Sequence, residues 1–294
     1  MKQRNAEILL IIVIASRSIS YLLSKIGLNG IPPLELLAIR FALTPLILLL
    51  LFHRRLPLLT RQLWKAAGLL GTFLFACMAC ELISLTTIPS STAAFLENTS
   101  AVWVLILMAV VSHHWPGKQV LTATSLLLIG IACLTLQGAV FHLAPGEIIC
   151  LTGSVFYALW ICLTARLARQ YDPLLLGILQ MGFLAVYSTA GMVLFESPAV
   201  PVDTTTWGAI LALVFICSVF GFTFQPVAQK YTSAEKAGLF TALNPLIAAV
   251  LGVIFLGETF TPVQLAGAIC ILLGIIIVQL PEKYRCKTHS CQNG

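Results

Sequence analysis

The chain has 294 residues, of which 59% are hydrophobic and only 10% charged, whereas an ordinary soluble domain carries roughly 25% charged residues. Its formal net charge is +6, from 17 Lys and Arg against 11 Asp and Glu. So little polar sequence excludes a separate soluble catalytic or binding domain and points to a protein that works inside a lipid bilayer.

An α-helix rises 1.5 Å per residue and the hydrocarbon core is about 30 Å thick, so one crossing needs roughly 20 mostly apolar residues. In chain order, segments that meet this requirement run over about 6–28, 33–52, 64–86, 89–112, 118–137, 146–167, 173–195, 206–228, 235–256 and 261–280. The first is too long for the apolar core of a signal peptide and lacks a small-residue cleavage site after Lys25, so it is expected to be retained. It also carries Arg17 near its middle, where a permanent charge needs an explanation. Arg40 lies in the second segment, Glu81 in the third and Glu97 in the fourth; Gln180 and Gln225 lie in the seventh and eighth. Pro45, Pro226 and Pro245 interrupt the second, eighth and ninth. A proline inside a helix frees the carbonyl four residues back, and in lipid that group must find a protein or cavity partner. Residues 281–294 read as a polar tail.

Of the nine cysteines, Cys77, Cys80, Cys133, Cys150, Cys162, Cys217 and Cys270 fall in apolar helices, where a thiol behaves as a small hydrophobe. Cys77 and Cys80 form a C-x-x-C without a second pair of ligands, so packing is the expected role. His53, His113, His114, His142 and His289 sit at helix ends, in loops or in the tail, and the two aspartates, Asp172 and Asp203, sit in loops. No hydrolase or metal motif results. The sequence therefore predicts no enzyme, no metal and no cofactor.

Basic residues set the orientation. If the N-terminus is cytoplasmic, all but three of the 17 Lys and Arg fall on the cytoplasmic side: Lys2, Arg4, Arg54, Arg55, Arg61, Lys65, Lys118, Arg166, Arg169, Lys230, Lys236, Lys283, Arg285 and Lys287. The exceptions are Arg17 and Arg40 inside helices and Lys25 at an outer helix end. By the positive-inside rule both termini are expected in the cytoplasm of a multi-pass protein of the plasma (inner) membrane.

The chain also resembles itself. A shift of 144 residues lays Ala93 on Ala237, Leu121 on Leu265, Leu128 on Leu272 and Gly130 on Gly274, and a shift of 140 lays "PLELLAIRF" (33–41) on "PLLLGILQM" (173–181). Each half holds five segments, an odd number, so the second must sit upside down relative to the first. The expected architecture is all-α: ten transmembrane helices as two inverted five-helix repeats, 1–140 and 141–280, with the cytoplasmic tail 281–294. Inverted repeats are typical of transporters, whose sites lie near the midplane at the repeat interface.

Charges at membrane depth face a bundle interior and pair there, because each costs roughly 2.5–3.5 kcal/mol at a helix centre. Counted along the helices, Glu81 lies about 8 Å, Arg40 about 10 Å, Glu97 about 12 Å and Arg17 about 16 Å below the outer surface. All four are compatible with one cluster. The internal alignment adds that Arg40 corresponds to Gln180, and Glu81 to Gln225. Arg17, Arg40, Glu81, Glu97, Gln180 and Gln225 are therefore the candidate substrate-binding residues, and Arg17 is expected to point toward Glu97 or Glu81. The competing reading makes them structural ion pairs.

Three stretches carry a family resemblance: "SYLLSKIGLNGIPPLELLAIRF" (20–41), "YALWICLTARLARQYDPLLLGILQMGF" (157–183) and "AQKYTSAEKAGLFTALNPLIAAVLGVIFLGETFTPVQLAGAICILLGIIIV" (228–278). With them the chain resembles the drug/metabolite transporter superfamily, EamA-type, over nearly its whole length. The resemblance implies ten helices in two inverted repeats and export or uptake of small organic solutes such as amino acids. Three positions depart from the family pattern: Arg17–Ser18 stand for a tryptophan–glycine pair, Ser112–His113–His114 stand where L-G-E would be, and Glu81 and Glu97 are added acids. The expected function is a transporter of small organic metabolites, amino acids or related solutes, in the efflux direction, by alternating access. A membrane-embedded channel, or an enzyme without a recognisable motif, is the alternative. The expected partners are a small-molecule substrate and the lipid bilayer, with a proton as candidate coupling ion and a homodimer as candidate assembly. Nucleic acid is not expected.

Overall fold

A computed structural model describes residues 3–54, 59–88, 90–113, 117–135, 144–197, 203–247 and 261–279. Expectations on Lys2, Arg55, His114, His142, the L-G-E triplet at 256–258 and the tail 281–294 lie outside these residues. Among the described residues the chain is helical, without strands. Helices α1 (Gln3–Ser18) and α2 (Ser20–Gly27) form one bent span, followed by α3 (Pro33–Phe52) and α4 (Arg61–Leu85). The pieces α5 (Ser90–Asn98) and α6 (Ser100–Ser112) follow, then α7 (Lys118–Thr135), α8 (Pro145–Gln170) and α9 (Pro173–Phe195). A third bent span comprises α10 (Thr204–Ala212), a π-helical stretch Leu213–Phe222 and α11 (Thr223–Gln229); α12 (Ala234–Phe240) and α13 (Pro262–Gln279) complete the order. Among the described residues six stretches are each long and apolar enough to cross a membrane: Gln3–Gly27, Pro33–Phe52, Arg61–Leu85, Pro145–Gln170, Pro173–Phe195 and Thr204–Gln229.

Polar residues fix the helix ends. Thr60 accepts from the Leu63 N–H at the start of α4, Asp172 from Leu174 and Leu175 at the start of α9, and Asp203 from Thr206 at the start of α10. Each satisfies N–H groups that the first helical turn leaves without a partner. The two aspartates expected in loops are thus helix caps. Longer-range caps join helices. The Glu196 carboxylate, just past α9, accepts from Leu34 N at 3.0 Å and Glu35 N at 2.8 Å, closing the start of α3. Lys25 Nζ donates to the Leu85 carbonyl at 2.6 Å, at the C-terminus of α4, where a cation also suits the helix dipole.

Several spans are bent, and side-chain chemistry explains the bends. Around Ile19, Ser16 and Ser18 donate to the carbonyls of Val13 and Ile14, a back-bonding pattern that competes with the helix ladder. Around Thr99, Asn98 Nδ2 donates to the Ala94 carbonyl and Thr99 Oγ1 to that of Leu96. In α12 the helix slackens at Thr241 and Ala242, four and three residues before Pro245, and the Thr241 carbonyl is taken instead by Asn244 N at 2.9 Å. Pro226 likewise frees the carbonyl of Phe222, and Gln180 Nε2 supplies the missing donor at 3.1 Å.

Helices α3, α4, α8 and α9 pack on one another at the centre, with α10 to α12 and the π-helical stretch against them, and α1 and α2 pack in turn on the π-helical stretch. Helices α7 and α13 pair chiefly with each other; a Cβ on Gly130 would stand 2.7 Å from the Gly267 carbonyl oxygen, the close approach that small residues permit between membrane helices. Outward faces carry Leu50, Val111, Val193, Leu194 and Phe195, all more than half exposed, as a lipid-facing surface requires. Glu7 and Lys236 form an ion pair of 2.9 Å that ties α1 to α12.

Candidate substrate-binding site

Four interruptions of the helices border one polar cavity in the bundle. Arg17, Ser20, Tyr21, Met78, Glu81, Glu97, Phe222 and Asn244 line it. Arg17, Ser20 and Tyr21 flank the bend at Ile19, Glu97 precedes the break at Thr99, Asn244 follows the break at 241–242, and Phe222 ends the π-helical stretch. Non-regular backbone at membrane depth survives only where protein or a cavity satisfies it, and π-helical turns concentrate at functional sites. The cavity has space for about one water molecule. The site is therefore closed around its own side chains.

Arg17 is 6% exposed, its hydrogen bonds go to uncharged groups, and its Nε is buried without a partner among the described residues. Its Nη1 donates to the Tyr157 hydroxyl and to Gln225 Oε1, each at 2.6 Å. Its guanidinium lies 3.9 Å from the Phe222 ring centroid and 5.1 Å from that of Tyr157, distances at which the ring quadrupole attracts a cation. Glu97 faces the same cavity but accepts from Tyr21 Oη at 2.5 Å. Among the described residues nothing donates a hydrogen bond to the Glu81 carboxylate, which borders the cavity with Glu97, Arg17 and Arg40 as its charged neighbours.

The six sequence candidates thus separate. Arg17, Glu81 and Glu97 meet at the cavity, and Gln225 stands directly behind Arg17. Arg40 is buried one layer away, donating through Nε to Ser218 Oγ at 2.8 Å. Gln180 does not reach the cavity: its carbonyl accepts from Trp160 Nε1 at 3.0 Å and its amide holds the Phe222 carbonyl that Pro226 freed. The structural ion pairs considered from the sequence are absent, since neither arginine comes within 4.0 Å of either carboxylate among the described residues. Arg17 is held instead through Nη1 by a phenol and a carboxamide and over an aromatic ring.

Sequence reasoning missed Tyr21, Tyr157, Phe222 and Asn244. For Asn244 a signal existed, because it belongs to the helix-breaking "LNP" at 243–245; Ser18 Oγ donates to its Oδ1 at 2.8 Å. The aromatic residues gave none, as aromatic side chains in apolar helices look like ordinary core.

Glycine 221 leaves room for the arginine stem: a Cβ there would lie 2.6 Å from Arg17 Cγ. Gly221→Ala is expected to displace the guanidinium from Tyr157 and Gln225 and to lower solute affinity about tenfold, the equivalent of one hydrogen bond to a charged group. Equal affinity of Gly221→Ala and wild type in a binding titration would show that Arg17 is not held as described.

A second cleft, of about 820 Å³, opens between α3, α4 and α9. Its lining is apolar apart from Thr72, Tyr187 and Glu196, and Glu196 is committed to capping α3. It lacks the convergent polar groups that orient a solute.

Known proteins are similar to this chain over its whole length. The profile of the EamA-like transporter family matches residues 4–136 and 144–280. The uncharacterized transporter YyaM of Bacillus subtilis is 25% identical over 308 residues, covering 99% of each chain. A probable amino-acid metabolite efflux pump of Salmonella typhimurium is 25% identical over 292 residues, covering 93% of this chain and 94% of that protein. One solved crystal structure superposes with a TM-score of 0.79 at 17% identity, covering 95% of this chain and 97% of the other, which establishes a shared fold. The apolar helices and both matched stretches place this multi-pass membrane protein: the chain belongs to the EamA-like transporter family.

Proposed function

We propose that the protein moves small organic metabolites, amino acids or related solutes, out of the cell by alternating access of the central cavity. The observation that carries this reading is the convergence of the interrupted helices on a cavity lined by Arg17, Glu81 and Glu97. Under the 144-residue shift the interruption at Thr99 falls on Leu243, directly beside the interruption at 241–242, and paired interruptions in two halves mark a transporter's binding site. They support two inverted repeats of five helices, 1–140 and 141–280, as does the matching of the family profile in two stretches. A solute carboxylate would compete for Arg17. A solute ammonium or a coupling proton would bind Glu81, whose carboxylate no donor among the described residues occupies. Any difference in those affinities between outward- and inward-open states shifts their populations.

Thermal stabilisation of purified protein across a metabolite library tests the reading, because a solute that binds only the folded state must raise its stability, by about 2.7 kcal/mol at a hundred times Kd. At least one amino acid or close relative is expected to stabilise; a library without a stabilising solute would count against the cavity as a binding site.

Orientation is the second proposal. The distribution of lysine and arginine puts both termini in the cytoplasm. In a background without native cysteines, a cysteine at Asp203 is expected to react with an impermeant maleimide applied outside intact cells, and one at Lys118 to stay unreacted. The opposite pattern would invert the topology.

A further inference from the structure

Arg40 is 1% exposed, the most deeply buried charge among the described residues, and it has no carboxylate within ion-pair distance. Its Nε donates to Ser218 Oγ at 2.8 Å, its Nη1 reaches Ser20 Oγ at 3.5 Å, and its Nη2 is buried without any partner. A guanidinium in that condition is expensive to keep inside a membrane protein unless something else supplies its anion. The cavity is one side-chain layer away, because Ser20 and Phe222 line it. The Phe222 ring lies beside both arginines, 3.9 Å from the Arg17 guanidinium carbon and 5.7 Å from that of Arg40. Phe222 also stands where the helix is least regular, ending the π-helical stretch with its carbonyl freed by Pro226.

The charges around the cavity define a complementary solute. Arg17 and Arg40 present two cations. Glu97 is engaged by the Tyr21 hydroxyl, with the Cys77 thiol 4.0 Å from its other oxygen, so Glu81 is the acid left open. Of the other titratable side chains nearby, Tyr157 is engaged by Arg17 and the Cys217 thiol, beside Arg40, donates to the Ser16 carbonyl.

We infer that Arg40, Ser218 and Ser20 form a second anion subsite, closed off by the Phe222 ring, and that the solute is an amino acid carrying a second carboxylate. In the loaded site one carboxylate lies on Arg17, the ammonium on Glu81, and the other carboxylate on Arg40 once Phe222 turns aside. The inference rests on the transport reading above and narrows it to a substrate class. A neutral side-chain amide of the same shape would leave Arg40 unpaired, and a site built for a charged partner discriminates strongly against an analogue that lacks it.

The test measures binding of L-glutamate and L-glutamine to purified wild-type protein by calorimetry, and transport of both in proteoliposomes. Glutamate is expected to bind at least about tenfold more tightly than glutamine, the size of one charge-assisted hydrogen bond. Arg40→Gln is expected to remove that preference. Ser218→Ala, which keeps the charge and most of the volume, is expected to reduce the preference. It serves as the second variant if Arg40→Gln does not fold. Equal or tighter binding of glutamine by the wild type overturns the subsite. If glutamine or other neutral solutes are transported without preference for the acid, the subsite falls and the transport reading stands. If no solute of any class is transported, both fall.

Discussion

Arg17→Met is expected to lower transport more than about a hundredfold and to destabilise the folded protein by about 2–4 kcal/mol. The stability estimate follows from what the substitution leaves behind. The Tyr157 hydroxyl and the Gln225 carboxamide each lose a charge-assisted partner at 2.6 Å in a buried setting, and each such loss is worth roughly 1.5–3 kcal/mol. Relief from keeping a charge buried offsets part of it. Transport suffers more, because methionine cannot hold a solute carboxylate. Arg17→Lys sharpens the test. An ammonium keeps the charge but lacks the planar fork that serves Tyr157 and Gln225 while lying over Phe222, so it is expected to recover stability better than transport. Radiolabelled uptake in proteoliposomes and melting in detergent measure the two effects. Arg17→Met with wild-type uptake would remove Arg17 from the site.

The second large effect is expected at Gly177, where no charge is involved. A Cβ there would overlap the Thr223 carbonyl oxygen. Backbone cannot swing away as a side chain can, so Gly177→Ala must push α9 and α11 apart. Helix α9 is also joined to Phe222, the last residue of the π-helical stretch before α11, by the Gln180 amide on the Phe222 carbonyl at 3.1 Å, a bond that is stretched when α9 and α11 separate. The expected loss is about 2–3 kcal/mol, in the range of overpacked cores. Gly182 in the same helix supplies the control, since a Cβ added there meets nothing within 4 Å; Gly182→Ala is expected to be neutral or to stabilise by up to about 1 kcal/mol. Equal melting temperatures for the two variants would contradict the close approach at Gly177.

What could be read from the sequence depended on how local the signal was. Arg17, Arg40, Glu81 and Glu97 stood out because a charge in an apolar run is costly, and the helical rise alone placed them at similar depth. Their partners were not legible. Arg17 bonds to residues 140 and 208 positions away, and no spacing rule connects them. The repeat alignment placed Gln180 on Arg40 and suggested a shared cavity role, whereas the structure uses Gln180 to satisfy the Phe222 carbonyl. That pairing was half visible, because Pro226 announced an orphaned acceptor without saying which helix would supply the donor. The bend at Ile19 was written in Ser16 and Ser18, and the slack turn at 241–242 in Pro245. The π-helical stretch Leu213–Phe222 had no comparable signature, since its residues are mostly ordinary apolar side chains.

The most direct measurement compares wild type with the quadruple variant Arg17→Met, Arg40→Met, Glu81→Gln and Glu97→Gln, reconstituted at equal density and assayed for solute transport. Removing both signs together leaves no lone buried charge, so a monodisperse, folded protein is expected. If the cavity is the transport site, the folded variant moves no solute while wild type does. Full transport by the folded variant would contradict a substrate site built from these four side chains.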